Sequence, residues 1–232
     1  MQLPKTKAEL ASFIDHTLLS PSATYADVDK LCHEAKSYGF HAVCVNPVNV
    51  KRCKDQLKGS EVKVVSVIGF PFGANKTEIK AAEAKAAIED GADELDMVMN
   101  VGAFKSGDLE TVRSDISAVA SVAKASHALL KVILETGYLS DDEKVIACEL
   151  AVGAGADFVK TSTGYGPGGA NAHDVKLMKE AVGDRAQVKA AGGIHTAAQA
   201  LELIAAGASR IGASHSVEIL ETFSAISGSG PA

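Results

Sequence analysis

The stretch AGADFVKTS, Ala154 to Ser162, has the pattern of a helix end, a glycine, an alanine and then a β-strand. Two other stretches repeat this pattern, DGADELDMV at 90–98 and AGASRIGAS at 206–214. Glycine suits the left-handed residue that closes a helix. The three stretches therefore predict a single βα unit that the chain uses repeatedly.

Short apolar runs alternate with helical segments along the whole chain. An alternation of strands and helices predicts a parallel sheet with helices outside it, and eight strands close a TIM (β/α)8 barrel. A doubly wound open sheet is the alternative, but no GxGxxG follows the first strand. The predicted strands, of which the first is the weakest, are 12–18, 41–45, 62–70, 94–100, 129–135, 157–162, 187–192 and 210–213.

The chain contains no linker-like stretch that would divide it. We therefore expect residues 1–232 to form one domain. The last residues, which include SGSGPA, predict a mobile tail over about 226–232.

Signals for helix boundaries occur at both ends of the predicted helices. A serine or threonine followed three residues later by an acidic residue or glutamine predicts a capping box, which satisfies the first backbone amides. In SYGF, Gly39 stands where a helix should end. The predicted capping boxes are Thr24 with Asp27, Ser140 with Glu143, and Thr196 with Gln199.

The net charge of −6 argues against binding of nucleic acid, which favours basic faces. A small anionic ligand is still compatible with this charge, because the residues around a site determine its local charge. The hydrophobic content of 47 % is sufficient for a sizeable core. Composition thus favours a globular protein with small-molecule partners.

Three features predict a cytoplasmic protein with reduced thiols. No apolar run is long enough to span a bilayer, and residues 1–16 lack the apolar core of a secretory signal. The four cysteines form no CxxC pair. The histidines form neither HxxxH nor HxH, so we expect no zinc site.

Four predicted strands carry a charged residue on the face that would point into the barrel. Residues two apart in a strand share a face, so in LDMVMN Asp96 lies opposite Leu95, which would pack on helices. Lys160, Lys189 and Asp15 occupy similar positions in their strands. We expect these charges near the C-terminal end of the barrel, where barrel enzymes have their active sites.

Two lysines on neighbouring strands indicate covalent chemistry. A structural ion-pair network would explain Asp96 with one lysine, but it explains the repelling pair of Lys160 and Lys189 poorly. An amine attacks a carbonyl only when it is deprotonated, and both burial and a second ammonium lower its pKa. Lys131 lies nearer the start of its strand, which favours a structural role. Glu135, at the end of that strand, could support the site, cap a helix or be solvated.

Glycines and hydroxyls after the last strands predict a phosphate site. Gly192 and Gly193 follow the seventh strand, while Gly212 and Ser214 follow the eighth, before a short helix. Barrel enzymes often bind phosphate with these two loops and a helix N-terminus. TSTG, 161–164, adds hydroxyls nearby. Simple turn geometry would explain a lone GG about as well, but the two loops together favour phosphate.

The motifs together resemble those of the deoxyribose-phosphate aldolases. The similarity extends over nearly the whole chain, from FIDHTLL through LDMVMN, LLKVILETG, FVKTSTGYGPGG and VKAAGGI to RIGAS. It implies a TIM-barrel class I aldolase without metal or cofactor. Such enzymes reversibly cleave 2-deoxy-D-ribose 5-phosphate to D-glyceraldehyde 3-phosphate and acetaldehyde, in deoxyribonucleotide catabolism.

The resemblance also implies roles for individual residues. Lys160 of FVKTSTG would be the Schiff-base nucleophile. Lys189 of VKAAGG would lower the pKa of Lys160 and assist proton transfer, and Asp96 would donate and accept protons. Asp15 would join the polar network and contact a sugar hydroxyl.

Further residues would contact the substrate if the resemblance holds. Gly164, Gly193 and Ser214 would hold the phosphate, and Thr163 would be an additional contact. Asn46 of VCVNP would line the pocket, although the same motif could be a strand end with an asparagine turn. The resemblance also leads us to expect a homo-oligomer, with a dimer favoured.

Two positions depart from the family pattern. Some members carry a basic residue directly after TSTG, where this chain has Tyr165. Some end in a tyrosine that moves a proton at C2, whereas this chain ends in SGSGPA. Two other functions are open alternatives, a keto-acid or ketose aldolase and a phosphosugar-binding protein without catalysis.

Overall fold

The structure is a computed structural model that describes residues 3–227 of the chain. Its centre is a closed barrel in which each strand pairs in parallel with the next and β8 pairs with β1. Closure excludes the open doubly wound sheet. The strands are β1 Ile14–Leu18, β2 Ala42–Val45, β3 Lys63–Ile68, β4 Glu94–Val98, β5 Leu129–Ile133, β6 Phe158–Lys160, β7 Gln187–Ala191 and β8 Arg210–Ala213.

Helices connect successive strands and cover the outside of the barrel, as the alternating pattern predicts. Two short 3-10 turns, Pro47–Asn49 and Thr136–Tyr138, lie at its C-terminal end. Within residues 3–227 the α-helices are α1 Lys7–Ala11, α2 Tyr25–Tyr38, α3 Val50–Gln56, α4 Thr77–Glu89, α5 Val101–Lys105, α6 Leu109–Ala125, α7 Asp141–Gly153, α8 Ala172–Val182, α9 Ala197–Ala205 and α10 Ser216–Ser227.

The predicted helix boundaries are confirmed. All three capping boxes form, at the starts of α2, α7 and α9. Gly39 closes α2 with a φ of 70°. Gly91, Gly155 and Gly207 each follow a helix with a φ between 103° and 119°. In the three repeated stretches, glycine therefore lets the chain leave a helix and enter the next strand.

The two faces of the strands pack in different ways. Outward-facing side chains such as Leu95, Met97 and Val188 belong to the large apolar core between the barrel and the helices. Inside the barrel, a small apolar cluster from β2 and β3 includes Cys44 and Val67. Buried charged side chains from the other strands also occupy the interior.

The remaining predictions about the chain concern its tail, its thiols and membranes. Residues 226 and 227 of the predicted tail belong to α10, and 228–232 lie outside the described residues. No helix in the part of the chain that the structure describes is both long and apolar enough to cross a membrane. The cysteines are buried and free, namely Cys32, Cys44, Cys53 and Cys148.

Candidate active site

Asp96 lies at the centre of a buried cluster of charges. Its Oδ2 accepts hydrogen bonds from Lys160 Nζ and Lys189 Nζ, both at 2.7 Å. Its Oδ1 accepts a bond from Lys131 Nζ at 2.9 Å. The strand register explains this convergence, because Lys160 is paired with Lys189 and Asp96 with Lys131 on adjacent strands. The predicted catalytic residues are therefore brought together on one carboxylate.

A second layer of ion pairs surrounds this carboxylate. Lys189 Nζ lies 2.5 Å from Asp15 Oδ2, and Asp15 Oδ1 accepts a bond from Arg210 Nη1 at 2.7 Å. Arg210 Nη1 also lies 3.2 Å from Glu94 Oε2, which is 2.6 Å from Lys131 Nζ. Together with the contacts of Asp96, these contacts form a continuous network across six strands of the barrel.

The charges in this network do not balance. Its members are Lys131, Lys160, Lys189, Arg210, Asp15, Glu94 and Asp96. Lys131, Lys189 and Arg210 each contact two carboxylates. Lys160 contacts a single one, Asp96, among the residues described. Because four cations share three carboxylates, the amine with the least counter-charge is the one most easily deprotonated.

The pKa values of the two central lysines move in opposite directions. Burial lowers the pKa of the Lys160 amine; Asp96 partly offsets this effect, and the Lys189 ammonium lowers the pKa further. Burial also acts to lower the pKa of Lys189, but Asp15 and Asp96 outweigh it and raise the pKa above the usual range of lysine. Lys160 is therefore the better candidate nucleophile, and Lys189 is an ammonium group at neutral pH.

The carboxylate beside these lysines is ionised. Burial acts to raise the pKa of Asp96, but Lys131, Lys160 and Lys189 outweigh it and hold the pKa well below its usual range. Asp15 follows the same rule, because Lys189 and Arg210 outweigh its burial and lower its pKa. At neutral pH the site thus offers a carboxylate that can accept a proton and an ammonium that can donate one.

Asp15, Asp96 and Lys189 lie within their strands rather than at the strand ends, which corrects the expectation that all four charges lie near the C-terminal end of the barrel. Lys160 is the last residue of β6. Asp96 and Lys189 are the third of five residues in their strands, and Asp15 is the second of five in β1. All four side chains are buried, including that of Lys160 at a strand end, and each pairs with an opposite charge.

A cavity of about 530 Å³ opens above Lys160 at the C-terminal end of the barrel. This volume is in the range of small-molecule sites. Its wall includes Thr163, Gly164, Gly193 and Ser214, so the predicted phosphate residues face the same space as the predicted nucleophile. The site is therefore continuous from the buried lysine to the loops after β6, β7 and β8.

Several backbone amides around this cavity donate to no acceptor within residues 3–227. Those of the predicted phosphate residues Gly164, Gly193 and Ser214 are among them. Gly164 and Gly193 have φ values of 87° and 75°, which a residue with a side chain adopts at a cost. No heavy atom lies within 4 Å of a Cβ built on either glycine, so the backbone conformation rather than space favours glycine. Free amides of this kind are suitable donors to an anion.

The prediction for Gly212 was wrong in two respects. Gly212 lies within β8 rather than after it, and the helix that follows, α10, is twelve residues long rather than short. A Cβ at Gly212 would lie 3.1 Å from Lys189 Cε and 3.0 Å from Ala191 Cβ. The absence of a side chain at Gly212 therefore leaves room for the Lys189 side chain.

The hydroxyls of TSTG have separate environments. Thr163 lines the cavity. Thr161 Oγ1 donates to the Ala191 carbonyl at 3.0 Å and joins β6 to β7. Ser162 Oγ is buried and has no hydrogen-bond partner among the residues that the structure describes. Of these three residues, Thr163 is the one placed to contact a ligand directly.

Two predicted contact residues lie away from the cavity wall. Asp15 is fully buried below the cavity. It belongs to the ion-pair network, which agrees with its expected place in a polar network. Asn46 is half-buried, and its Nδ2 donates to the Leu19 carbonyl at 3.2 Å. Asn46 is the N-cap residue of the 3-10 turn that follows β2 and is not among the residues that line the cavity.

Glu135 is a buried partner of the TSTG loop and not a solvated residue. Its carboxylate accepts a bond from the amide of Thr163 at 3.2 Å and a short bond from the hydroxyl of the same residue. Its side chain makes no capping bond to the 3-10 turn that follows. With a φ of 56°, Glu135 adopts the left-handed conformation, so its contact with Thr163 holds a strained backbone in place.

Tyr165 closes one side of the cavity. Its hydroxyl donates to the Leu19 carbonyl at 3.0 Å, and its ring packs edge-on against Phe70 at a centroid distance of 5.5 Å. Tyr165 therefore connects the loop after β6 to the loop after β1.

One group of side chains outside the barrel offers ligand atoms that metals prefer. Asp141, His173 and Asp174 lie together on α7 and α8. The Lys144 ammonium lies within this group, 3.0 Å from Asp141 Oδ1 and 2.7 Å from Asp174 Oδ1. The ammonium supplies the positive charge there, so the group is explained as an ion-pair cluster between two helices.

Sequence reasoning missed Glu94, Arg210, His16 and Glu34. Glu94 lies two residues before Asp96 in β4, and Arg210 lies two residues before Gly212 in β8. Residues two apart in a strand share a face, so this spacing would have identified Glu94 and Arg210 as interior residues. His16 and Glu34 line the cavity, although neighbouring residues in β1 should face opposite sides of the sheet. No pattern in the sequence pairs His16 with Glu34.

Comparisons with known proteins agree with this geometry. A profile of the DeoC/LacD family aldolases matches residues 10–224. The deoxyribose-phosphate aldolase of Thermococcus kodakarensis is 60 % identical over 217 residues, which cover 93 % of this chain and 97 % of the relative. That of Aciduliprofundum boonei is 58 % identical over 218 residues, with coverages of 94 % and 98 %.

A solved structure supports the same relationship. The deoxyribose phosphate aldolase from Aeropyrum pernix, described as tetrameric, is 38 % identical, with a TM-score of 0.90. The match covers 95 % of this chain and 93 % of that one. The chain belongs to the DeoC/LacD family of aldolases.

Proposed function

We propose that this protein is a class I aldolase that reversibly cleaves 2-deoxy-D-ribose 5-phosphate to D-glyceraldehyde 3-phosphate and acetaldehyde. The observation that carries the proposal is the position of Lys160. Its amine has a lowered pKa and lies beneath a cavity whose wall presents the amides of Gly164, Gly193 and Ser214, which donate to no acceptor within residues 3–227. The amine would form the covalent intermediate, and the amides would bind the phosphate.

The first half of the reaction forms the imine. The neutral amine of Lys160 attacks the C1 aldehyde of the open-chain sugar, and the resulting carbinolamine loses water. The departing hydroxyl needs a proton, which the Lys189 ammonium can supply through Asp96 Oδ2, because both lysines contact that oxygen. The product is a protonated imine, which withdraws electrons from C2.

The second half breaks the C2–C3 bond. The Asp96 carboxylate, or a water held by it, accepts the proton of the C3 hydroxyl while the C2–C3 electron pair moves to form an enamine on Lys160. Glyceraldehyde 3-phosphate leaves. Protonation of the enamine at C2 and hydrolysis of the imine release acetaldehyde. The phosphate, held by the amides of Gly164, Gly193 and Ser214, fixes C3 relative to the catalytic groups.

Borohydride trapping with acetaldehyde tests this proposal. Reduction of the imine should add a two-carbon unit to Lys160, which peptide mapping would locate. Lys131 is the internal control, because it is equally buried but contacts two carboxylates. Labelling at Lys131 or Lys189 would overturn the assignment, and phosphosugar binding without an adduct would indicate a non-catalytic protein. Analysis of the cleavage products would separate this activity from that of a keto-acid or ketose aldolase.

We also propose that the protein acts in the cytoplasm as a homo-oligomer, with a dimer favoured. Four buried free thiols fit a reducing compartment. The Aeropyrum pernix relative is described as tetrameric, which supports self-association. Light scattering across a range of protein concentrations would give the assembly size, and a monomer at all concentrations would contradict the oligomer.

A further inference from the structure

Three side chains form a hydrogen-bonded chain along one wall of the cavity. His16 of β1 lies between Ser216, the first residue of α10, and Glu34 of α2. Its Nδ1 is 3.0 Å from Ser216 Oγ, and its Nε2 is 2.9 Å from Glu34 Oε2. His16 and Ser216 are buried, and both His16 and Glu34 line the cavity. The mechanism described above uses none of these three residues.

The hydrogens available do not satisfy every contact when His16 is neutral. The Ser216 hydroxyl has one hydrogen, and its Oγ lies 2.9 Å from the Ala213 carbonyl as well as 3.0 Å from His16 Nδ1. If the hydroxyl donates to Ala213, Nδ1 must carry a proton. In a neutral ring, Nε2 then directs its lone pair at the Glu34 carboxylate. A doubly protonated ring satisfies all three contacts, since Nδ1 donates to Ser216 and Nε2 donates to Glu34.

The neutral ring requires a different arrangement. Nε2–H donates to Glu34, Nδ1 accepts the Ser216 hydrogen, and the Ala213 carbonyl loses its bond from that hydroxyl. The two arrangements differ by one proton and by the rotation of one hydroxyl. Ala213 directly precedes Ser214, whose amide is a proposed phosphate donor, so the protonation state of His16 is coupled to the turn between β8 and α10.

We propose that His16 is a positioning residue that takes up a proton when a phosphorylated ligand binds in the cavity. Protonation stabilises the turn between β8 and α10 and adds positive charge near the bound dianion. The inference rests on the proposed function for the identity of the ligand. Protonation of His16 makes the affinity for the phosphate group dependent on pH, whereas the affinity for the sugar does not depend on it.

The charges around His16 determine the direction of this effect. Burial lowers its pKa below the usual value, and Glu34 partly offsets the burial. Lys30 lies 3.7 Å from Glu34, and Glu218 of α10 pairs with His215 at 3.7 Å. In the free protein the ring is therefore neutral at pH 7 and above, whereas a dianion favours the imidazolium. By linkage, phosphate affinity is highest below the pKa of His16 in the free protein, falls as pH rises from that pKa to the higher pKa of the bound state, and is constant above it.

The first test compares KM for 2-deoxyribose 5-phosphate with KM for 2-deoxyribose from pH 7 to 9. The ester is largely a dianion in this range, because its second pKa is about 6, and the ratio of the two constants cancels the titration of Lys160. In the wild-type protein the ratio KM(phosphorylated)/KM(unphosphorylated) should rise with pH, by at most about tenfold per unit for one proton. In His16→Asn, which cannot titrate, the ratio should already be high at pH 7 and should not change.

His33→Asn is the matched control, because His33 is an exposed histidine on the same helix as Glu34. It should keep the wild-type slope. An unchanged slope in His16→Asn would overturn the proposal. If the wild-type protein fails to cleave 2-deoxyribose 5-phosphate, the proposed function fails instead, so the two failures are distinguishable.

A second measurement needs no variant at His16 and no turnover. The Cε1–H signal of His16 can be assigned by its proximity to the Phe40 ring, whose centroid lies 5.0 Å away. Titration of this signal with and without inorganic phosphate should show an upward shift of its pKa. In Glu34→Gln the shift should be smaller, because the acceptor for Nε2–H is uncharged. An identical titration curve with and without saturating phosphate would contradict the proposal.

Discussion

Lys160 Nζ and Lys189 Nζ both lie 2.7 Å from the same oxygen, Asp96 Oδ2. The two amines differ in what else they contact, because Lys189 also pairs with Asp15 at 2.5 Å. This extra carboxylate explains why the pKa of Lys189 is raised while that of Lys160 is lowered. One shared oxygen thus joins a group that can act as nucleophile to a group that can donate a proton.

Lys131→Met should destabilise the fold without moving the site of imine formation. Lys131 bridges Glu94 and Asp96, and loss of one partner of a buried ion pair typically costs about 3–5 kcal/mol. Urea unfolding would measure the loss. Lys85→Met is the control, since its exposed pair with Glu89 should contribute less than about 1 kcal/mol. Borohydride labelling should remain at Lys160, and loss of that label would give Lys131 a role in catalysis.

Ser214→Asp should weaken binding of the phosphorylated substrate far more than binding of 2-deoxyribose. The substitution sets a carboxylate against a dianion at a position that lines the cavity. The KM values of the two substrates, measured at one pH, would show the difference. Ser121→Asp, on the exposed face of α6, provides the control for an added charge. Equal losses for both substrates in Ser214→Asp would place the phosphate elsewhere.

The barrel and the direction of its charged residues follow from short-range patterns. The two-residue period of a strand predicts that Asp96 faces inward while Leu95 packs on helices, and both predictions are confirmed. The depth of each charge does not follow from such patterns. Asp15 and Arg210 are 195 residues apart and meet because β1 pairs with β8 when the barrel closes. Local sequence does not specify the register of that closure.

The same limit applies to the loops. TSTG and GG predict an anion site, and the structure places Thr163 and Gly164 of the first motif and both glycines of the second around one cavity. The contact of Glu135 with Thr163 joins two loops that are distant in sequence, as does that of Tyr165 with the Leu19 carbonyl. Such contacts depend on side-chain packing at the end of the closed barrel, and no local motif encodes them.

Chelators should leave turnover unchanged. The proposed mechanism uses an amine, an ammonium group and a carboxylate, and no step requires a Lewis acid. Cleavage of 2-deoxyribose 5-phosphate, measured after dialysis against EDTA, should equal that of a sample dialysed against buffer alone. Activity that is lost on dialysis and restored by zinc would assign the protein to a metal-dependent class of aldolase.

Acid should unfold the protein through its interior carboxylates. The folded pKa values of Asp15, Glu94 and Asp96 are lowered, since lysine and arginine partners outweigh their burial. Unfolded carboxylates titrate near about pH 4, so the stability from these groups is complete above that pH and is lost as pH falls through the folded pKa values. Urea unfolding between pH 7 and 3 should show this decline. A free energy of unfolding that does not change down to pH 3 would contradict the lowered values.

Lys189→Leu separates two roles of the Lys189 ammonium. The first is electrostatic, because its removal should raise the pKa of Lys160, although burial still holds that pKa down. Each unit of rise corresponds to about 1.4 kcal/mol and reduces the neutral fraction of Lys160 about tenfold at neutral pH. The second role is proton transfer, whose loss typically reduces the rate by about 10²–10⁴-fold. Lys63→Leu, at an exposed lysine of β3, is the matched control.

The pH profile of Lys189→Leu distinguishes these roles. If the ammonium acted only on the pKa of Lys160, alkaline pH would restore most of the rate, because Lys160 would again be deprotonated. We expect little restoration and a profile displaced to higher pH, since Lys189 contacts Asp96 Oδ2 directly and its own raised pKa keeps it a proton donor. Single-turnover imine formation and steady-state cleavage, both measured from pH 6 to 10, would show the two effects. Near-normal turnover of Lys189→Leu at pH 7 would reduce Lys189 to a structural charge and would leave Asp96 as the one remaining proton carrier among the residues that contact Lys160.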